Sequence, residues 1–197
     1  MDTRHRIAVM ASGNGSNFEA IAQACADGRI NAEVVLCVCD CPGAGVIERA
    51  ARLGVPVLVA APRDFGSKAA YESMLADRFD TEHVELVCLA GYMRIVGPTL
   101  LGRYEGRIIN IHPSLLPAFP GAHAIADALA YGVKVYGVTI HYVDAGIDSG
   151  RIIAQTAVPY EGDDADELEP MIHRAEHRLY VDTINKILND KQNRQNI

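Results

Sequence analysis

Short apolar runs rich in β-branched residues alternate with helix-like segments along the first hundred residues of this chain. The first run, Arg6–Ala11, precedes a helical pattern from Ser16 to Asp27 that ends at Gly28. Further strands are predicted at Glu33–Cys39, Val55–Ala60, Glu85–Ala90 and Arg107–His112, and further helices at Gly45–Leu53, at about Ser67–Phe79 and near Pro98–Arg103. Runs that are almost continuously apolar are typical of parallel strands covered by helices on both faces. The sequence therefore predicts an α/β fold with a mostly parallel, twisted sheet flanked by helices.

The pattern changes after this fifth strand. A helix at Ala124–Ala130 precedes two longer predicted strands, Lys134–Val143 and Arg151–Val158, and a final amphipathic helix at about Ala165–Leu188. We interpret the chain as a single domain, 1–197, with a Rossmann-like, phosphate-binding N-terminal half at about 1–106. A β-rich catalytic half follows at about 107–188. The polar tail, 189–197, is expected to be frayed.

Composition restricts the class of protein. The chain has 197 residues, 49% of them hydrophobic and 22% charged, which is typical of a globular protein with one core. The net charge of -7 argues against nonspecific binding of nucleic acid. No apolar run reaches the roughly 18–20 residues that a membrane span needs, and no signal-peptide core follows Met1. We therefore expect a cytoplasmic protein without nucleic-acid or membrane partners, either a monomer or a homodimer.

The five cysteines do not form a recognisable metal motif. Cys37, Cys39 and Cys41 are spaced by two, which places them on one face of a strand. A zinc site remains possible on that pattern, but the Cys-x-x-Cys spacing is missing. Small buried apolar thiols are the interpretation that we favour, and no metal is expected.

A glycine-rich loop follows the first predicted strand, in the order Ser12-Gly13-Asn14-Gly15-Ser16-Asn17. Glycines allow a ligand to approach the backbone closely, and the N-terminus of the following helix attracts anions. The dinucleotide fingerprint is incomplete because Phe18 stands where a third glycine is needed, although Asp40 could bind a ribose at the end of the second strand. The loop thus favours binding of a phosphomonoester. The alternative is that it is only a tight turn between strand and helix, capped by Ser or Asn.

Asn110, His112 and Asp148 are the candidate catalytic residues. Asn110 and His112 lie two apart on a predicted strand that Pro113 ends, so their side chains point to the same side. An amide can donate to a developing oxyanion, an imidazole can move a proton, and a carboxylate can orient the imidazole. Each residue alone could be structural. Together they indicate acyl-group transfer.

Two loops could form the walls of such a site. The segment Gly91–Val96 follows the fourth strand, and its apolar residues around one arginine suit a flat heteroaromatic ligand. The alternative interpretation is that the segment is only a strand end that turns into a helix. Leu115–Gly121 contains two prolines and is expected to stiffen the site on the other side.

At these residues the chain resembles the phosphoribosylglycinamide formyltransferases, which use 10-formyltetrahydrofolate in purine biosynthesis. The resemblance covers about Arg6 to Tyr180. It depends on five segments, namely Ser12–Asn17, Ala90–Ile95, Asn110–Pro117, His141–Gly150 and Ala175–Tyr180. The third segment, Asn-x-His-Pro-Ser-Leu-Leu-Pro, is shared with other formyl-folate enzymes. The glycine loop narrows the resemblance to the enzymes that act on glycinamide ribonucleotide.

The resemblance implies roles for individual residues. Gly15, Ser16 and Asn17 would bind the substrate phosphate, and Glu176 would lie near the substrate amine. The folate would contact Asn110 and a pterin pocket formed by Met93, Arg94, Ile95 and Val96. Lys68 stands where the family often has an arginine that contacts the folate, and this change keeps the charge but loses the planar fork. Both ligands are small molecules.

The implied reaction is attack of the glycinamide amine on the formyl carbon. Asn110 and protonated His112 would stabilise the oxyanion, while Asp148 would favour the charged imidazole and assist proton transfer to the departing folate nitrogen.

Four alternatives stay open on the sequence. A formyltetrahydrofolate hydrolase would use water in place of the amine, but such enzymes are expected to carry an additional N-terminal domain. A methionyl-tRNA formyltransferase would need a basic C-terminal domain. A nicotinamide-dependent oxidoreductase would explain the glycine loop and Asp40 but not the three catalytic candidates, and a ligand sensor would not need a carboxylate beside His112.

Overall fold

A computed structural model describes residues 4–195 of the chain. The strands are β1 (His5–Ala11), β2 (Ala32–Cys39), β3 (Val57–Val59), β4 (Leu86–Leu89), β5 (Ile108–His112), β6 (Val135–Tyr142) and β7 (Ile152–Pro159). The helices are α1 (Ser16–Ala26), α2 (Gly45–Arg52), α3 (Lys68–Thr81), α4 (Pro98–Arg103), α5 (Ala124–Tyr131) and α6 (Ala165–Gln195), with one short 3₁₀ turn at Pro62–Asp64. Each predicted strand and helix is present, with ends shifted by a few residues at most apart from α6.

The strands form one sheet in the order β3-β2-β1-β4-β5-β6-β7. The first five are parallel, and β6 and β7 are antiparallel to their neighbours. The predicted α/β fold with a β-rich C-terminal portion is thereby confirmed. Strands β2 and β3 lie on one side of β1, and strands β4, β5, β6 and β7 lie on the other side. The strand order therefore reverses between β1 and β4. Open α/β sheets bind ligands at the carboxyl ends of the strands at such a reversal.

Successive side chains of each strand point to opposite faces of the sheet, and this divides the core into two layers. In β1, Ile7 and Val9 face one layer while Ala8 and Met10 face the other, and all four are fully buried. The first layer is completed by residues of α1, α2 and α6, and the second by residues of α3 and α4. Both faces of the central strands are therefore covered, which explains their continuously apolar sequence.

Helix α6 is fixed to the middle of the sheet by Tyr180. Its ring is fully buried, and its hydroxyl donates to the carbonyl oxygens of Leu89 at 2.8 Å and Ile109 at 3.2 Å. Burial raises the pKa of this phenol well above its usual value, so it remains a donor. This contact sets the position of α6 relative to the carboxyl ends of β4 and β5.

Helix α6 extends beyond its predicted end at about Leu188. The tail was expected to fray from Asn189, but α6 continues to Gln195, and residues 196–197 lie outside the described part of the chain. A polar composition does not by itself end a helix, because Lys, Gln, Asn and Arg are acceptable in a helix that continues a packed one.

Candidate active site

Seven of the predicted site residues line a single cleft at the carboxyl ends of β4 and β5, with a volume of about 250 Å³. They are Met93, Arg94, Ile95, Val96, Asn110, His112 and Asp148. Loop residues from Pro113, Gly121 and Ala122, and from the 143–147 segment, complete the lining. The structure therefore brings the predicted catalytic residues and the predicted pterin pocket together.

Strand β5 places Asn110 and His112 on the same side, as their spacing of two predicts. His112 is buried, and its Nε2 donates to the carbonyl oxygen of Phe119 at 2.8 Å because a carbonyl can only accept. Its Nδ1 lies 3.4 Å from Oδ2 of Asp148. The Phe119 carbonyl thus fixes one ring nitrogen as a donor and leaves the other facing the carboxylate.

Asp148 is held by the loop that precedes α5. Its Oδ2 accepts a hydrogen bond of 2.8 Å from the backbone N–H of Gly121. The backbone of Asp148 has a φ of 49°, in the left-handed region that aspartate tolerates better than most residues. Since the side chain is only 13% exposed, its charge is poorly screened by solvent.

His141 is a cleft residue that sequence reasoning did not single out. It lies opposite Asn110 in the antiparallel pairing of β5 and β6. Its Nδ1 donates to the carbonyl oxygen of Tyr142 at 2.9 Å, so its Nε2 is available to accept from Nδ2 of Asn110 at 3.2 Å. The same Nε2 lies 3.6 Å from Oδ1 of Asp148. Strand register would have revealed it, but the sequence alone does not fix that register.

The amide of Asn110 is thereby oriented. One N–H of Nδ2 faces His141, and the contact from Nδ2 to Oδ1 of Asp148 is 3.5 Å, at the limit of a hydrogen bond. The second contact is weak enough for a ligand oxygen to replace it.

The glycine loop lies next to the cleft. Gly15 caps α1 with a φ of 80°, and an added Cβ there would lie 2.5 Å from Cγ2 of Val46. Arg49 braces the loop by donating to the carbonyl oxygen of Asn14 at 2.8 Å. The backbone of Ser12 donates to the carbonyl oxygen of Gly91 at 3.0 Å, which links the loop directly to the wall of the cleft.

Asn17 joins this loop to α6. It is buried, and its Nδ2 donates to Oε2 of Glu176 at 3.1 Å, while its Oδ1 has no hydrogen-bond partner in the described part of the chain. Nδ1 of His173 binds the same Glu176 oxygen at 2.9 Å. This hydrogen bond raises the pKa of His173 above its ordinary value. Asn17 and Glu176 therefore form a buried polar pair that the sequence assigned to two separate ligand contacts.

Lys68 and Asp40 lie outside the cleft lining. Nζ of Lys68 is 3.9 Å from Oε1 of Glu72, and its stem lies beside Gly97, immediately after the predicted pterin pocket. The carboxylate of Asp40 is fully buried and binds Arg94, so it is not presented to a ribose. This removes one of the two sequence features that favoured a nicotinamide cofactor, and the glycine loop is the other.

Residues 4–195 contain no cluster of three or more His, Cys, Asp or Glu side chains placed to bind a metal ion. Cys37 and Cys39 are buried, and burial raises the pKa of Cys37 to about 12. Within the same residues, no helix combines the length and apolar character that crossing a membrane requires.

Comparisons with known proteins agree with this geometry. The family model described as formyl transferase matches residues 5–184. Phosphoribosylglycinamide formyltransferase from Bacillus subtilis is 49% identical over 184 residues, which cover 93% of this chain and 94% of that protein. Crystal structures of phosphoribosylglycinamide formyltransferase from Bacillus halodurans and of glycinamide ribonucleotide transformylase 1 from Geobacillus kaustophilus are 53% and 52% identical, with TM-scores of 0.89 and 0.91. They cover 93% and 94% of this chain, and the match spans 95% and 99% of theirs. The chain belongs to the formyl transferase family, in the group of the phosphoribosylglycinamide formyltransferases.

Proposed function

We propose that this chain transfers the formyl group of 10-formyltetrahydrofolate to the amine of 5-phosphoribosylglycinamide, in purine biosynthesis. The observation that carries the proposal is the convergence of Asn110, His112 and Asp148 in one cleft with the apolar Met93–Val96 wall. The names of the relatives supply the substrate class, and the chemistry of the cleft is suited to acyl transfer.

The phosphate of the ribonucleotide would bind at the glycine loop. The first N–H groups of α1 have no carbonyl partner within the helix, and Gly15, Ser16 and Asn17 present them at its N-terminus. The buried Oδ1 of Asn17 and the carboxylate of Glu176 are acceptors that suit the substrate amine. The pterin would lie against Met93, Arg94, Ile95 and Val96, with Lys68 outside this wall.

Bond formation begins when the amine nitrogen attacks the formyl carbon, and the carbonyl oxygen becomes an oxyanion. The N–H of Asn110 that now faces Oδ1 of Asp148 at 3.5 Å would turn to that oxygen, together with a proton on Nδ1 of His112. The bond between the carbon and N10 of the folate then breaks. The amine gives up one proton and N10 takes one, so the products are tetrahydrofolate and the formylated ribonucleotide.

Asp148 has two tasks in this scheme. Its Oδ2 lies 3.4 Å from Nδ1 of His112 and orients the ring beside the oxyanion. Because Gly121 also binds Oδ2, the carboxylate stays in place when the proton moves. His141 keeps the Asn110 amide oriented through the 3.2 Å contact.

The test is the release of tetrahydrofolate, followed by absorbance with the ribonucleotide present and then absent. We expect release only when the amine substrate is present. Equal release without it would mean that water is the acceptor, as in a formyltetrahydrofolate hydrolase. A thermal shift with the ribonucleotide or a folate analogue, compared with NAD(P), provides the independent binding control.

A further inference from the structure

Asp40 is a buried carboxylate at the carboxyl end of β2 that the reaction scheme does not use. Its side chain is 0% exposed, its Oδ2 accepts from Nε of Arg94 at 2.7 Å, and its Oδ1 has no hydrogen-bond partner within residues 4–195. Burying a carboxylate is costly unless it is paired, so Arg94 supplies the compensating charge. Among the described residues, Asp40 is the only carboxylate within 4 Å of that guanidinium.

Arg94 connects this buried charge to the cleft. Its side chain is 54% exposed and lines the cleft between Met93 and Ile95, which are themselves exposed. An arginine side chain that is free in solvent samples many rotamers, whereas one fixed at Nε by a buried carboxylate presents its fork in a defined direction. The Cys41 thiol lies beside the pair, and burial together with the Asp40 charge raises its pKa, which keeps it neutral.

The cleft segment from Gly91 to Gly97 is held by backbone and side-chain contacts. At its start, Ser12 donates to the carbonyl oxygen of Gly91 at 3.0 Å and accepts from the Met93 N–H at 2.9 Å. At its end, the buried carboxylate of Glu72 accepts from the Gly97 N–H at 2.5 Å. Between these backbone contacts, the Tyr92 hydroxyl forms a hydrogen bond of 3.1 Å with the Tyr71 hydroxyl, and the Asp40–Arg94 pair anchors a side chain of the 93–96 segment.

We propose that Asp40 is a positioning residue for the folate wall of the cleft, acting by holding Arg94 and with it the 93–96 segment in a ligand-ready arrangement. The inference rests on the proposed function, because it assumes that the folate binds against this wall. It assigns Asp40 to affinity for the folate, not to the chemical step and not to the ribonucleotide.

The experiment compares Asp40→Asn, Arg94→Gln and the double variant with the wild-type protein. Asp77→Asn is the matched control, because Asp77 forms an exposed pair with Arg103 at 3.3 Å and neither residue lines the cleft. For each protein we would measure the dissociation constant of a folate analogue by calorimetry, both KM values, kcat and the melting temperature.

We expect Asp40→Asn to raise the dissociation constant of the analogue and the KM for 10-formyltetrahydrofolate about tenfold, the effect of losing one charge-assisted hydrogen bond. The KM for the ribonucleotide and kcat should stay within about twofold, and Asp77→Asn should match the wild type. Because Asp40 acts through Arg94, the double variant should bind the analogue no more weakly than Arg94→Gln alone.

A folded Asp40→Asn protein that binds the folate analogue with wild-type affinity would overturn the inference. The inference would also be overturned if the losses of affinity in Asp40→Asn and Arg94→Gln multiplied in the double variant. If Asp40→Asn does not fold, Arg94→Gln carries the test by itself, since the Gln amide can still donate to the buried Asp40 carboxylate while the guanidinium fork is lost. Wild-type affinity of that variant would then overturn the inference. Failure of the proposed function looks different, because the wild-type protein itself would not transfer the formyl group.

Discussion

Nδ1 of His112 lies 3.4 Å from Oδ2 of Asp148, while Nε2 of the same ring donates to the carbonyl oxygen of Phe119 at 2.8 Å. The ring is therefore oriented from both sides before any ligand binds. Nδ1 points at a carboxylate whose position the Gly121 N–H fixes in turn. Such fixed orientation is what positions a proton donor for an oxyanion that forms only in the transition state.

Asn110→Ala tests the oxyanion donor. We expect kcat to fall about 10²–10³-fold, the range seen when one such donor is removed, with little change in the KM for the ribonucleotide. Asn189→Ala, an exposed change on α6, is the control and should leave kcat unchanged. Steady-state kinetics decide the matter, and a rise in KM with an intact kcat would mean that Asn110 only binds substrate.

His141→Ala removes the partner that orients the Asn110 amide. Because the 3.2 Å contact fixes Asn110, and not the substrate directly, we expect a smaller fall in kcat than for Asn110→Ala. The double variant should be no slower than Asn110→Ala alone, since His141 then has no amide left to orient. Independent, multiplying effects in the kinetics of the double variant would exclude this role.

Gly15→Ala tests the conformation of the glycine loop. The φ of 80° and the approach of Val46 leave no room for a Cβ, so we expect the free energy of unfolding to fall by about 1–3 kcal/mol. Gly13→Ala is a matched control from the same loop, because an added Cβ there meets nothing within 4 Å. The free energy of denaturant unfolding and the affinity for the ribonucleotide should both change in Gly15→Ala and not in Gly13→Ala. Equal effects at both positions would show that the loop is sensitive to any side chain.

The hydrogen bond between His173 and Glu176 predicts a pH dependence. Because the folded-state pKa of His173 is raised, its stabilising contribution is present below about pH 6.5, the unfolded-state pKa, and is lost as the pH rises through the folded-state value. The contribution is on the order of 0.5 kcal/mol or less, since the His173 side chain is half-exposed and screened. An NMR titration should show the pKa of His173 falling in Glu176→Gln, with exposed His83 as the internal reference. An unchanged pKa would contradict the coupling.

Local patterns predicted the helices and strands well because each carries its own signals. Ser67 accepts a hydrogen bond from the Ala70 N–H at the start of α3, and Gly28 and Gly132 follow the ends of α1 and α5 with positive φ. The spacing of Asn110 and His112 likewise predicted their common side. Such features depend only on neighbours in the chain.

Contacts between residues far apart in the chain were harder to predict from the sequence. His141 enters the cleft through strand register, and Asp40 lies near Arg94 only because β2 and β4 both flank β1. The resemblance predicts that Lys68 contacts the folate, and in the structure its Nζ lies 3.9 Å from Oε1 of Glu72. The contacts of His141 and Asp40 are set by the packing of the whole sheet, which no local pattern specifies.

The most direct test of the catalytic centre is single-turnover formyl transfer by His112→Ala and Asp148→Asn at saturating substrates. Asparagine is chosen at position 148 because it tolerates the left-handed backbone there. We expect the rate to fall by about 10²–10⁴-fold in each variant, with the substrate dissociation constants changing far less and His83→Asn behaving as wild type. Rates near that of the wild type in both variants would contradict a catalytic role for this pair.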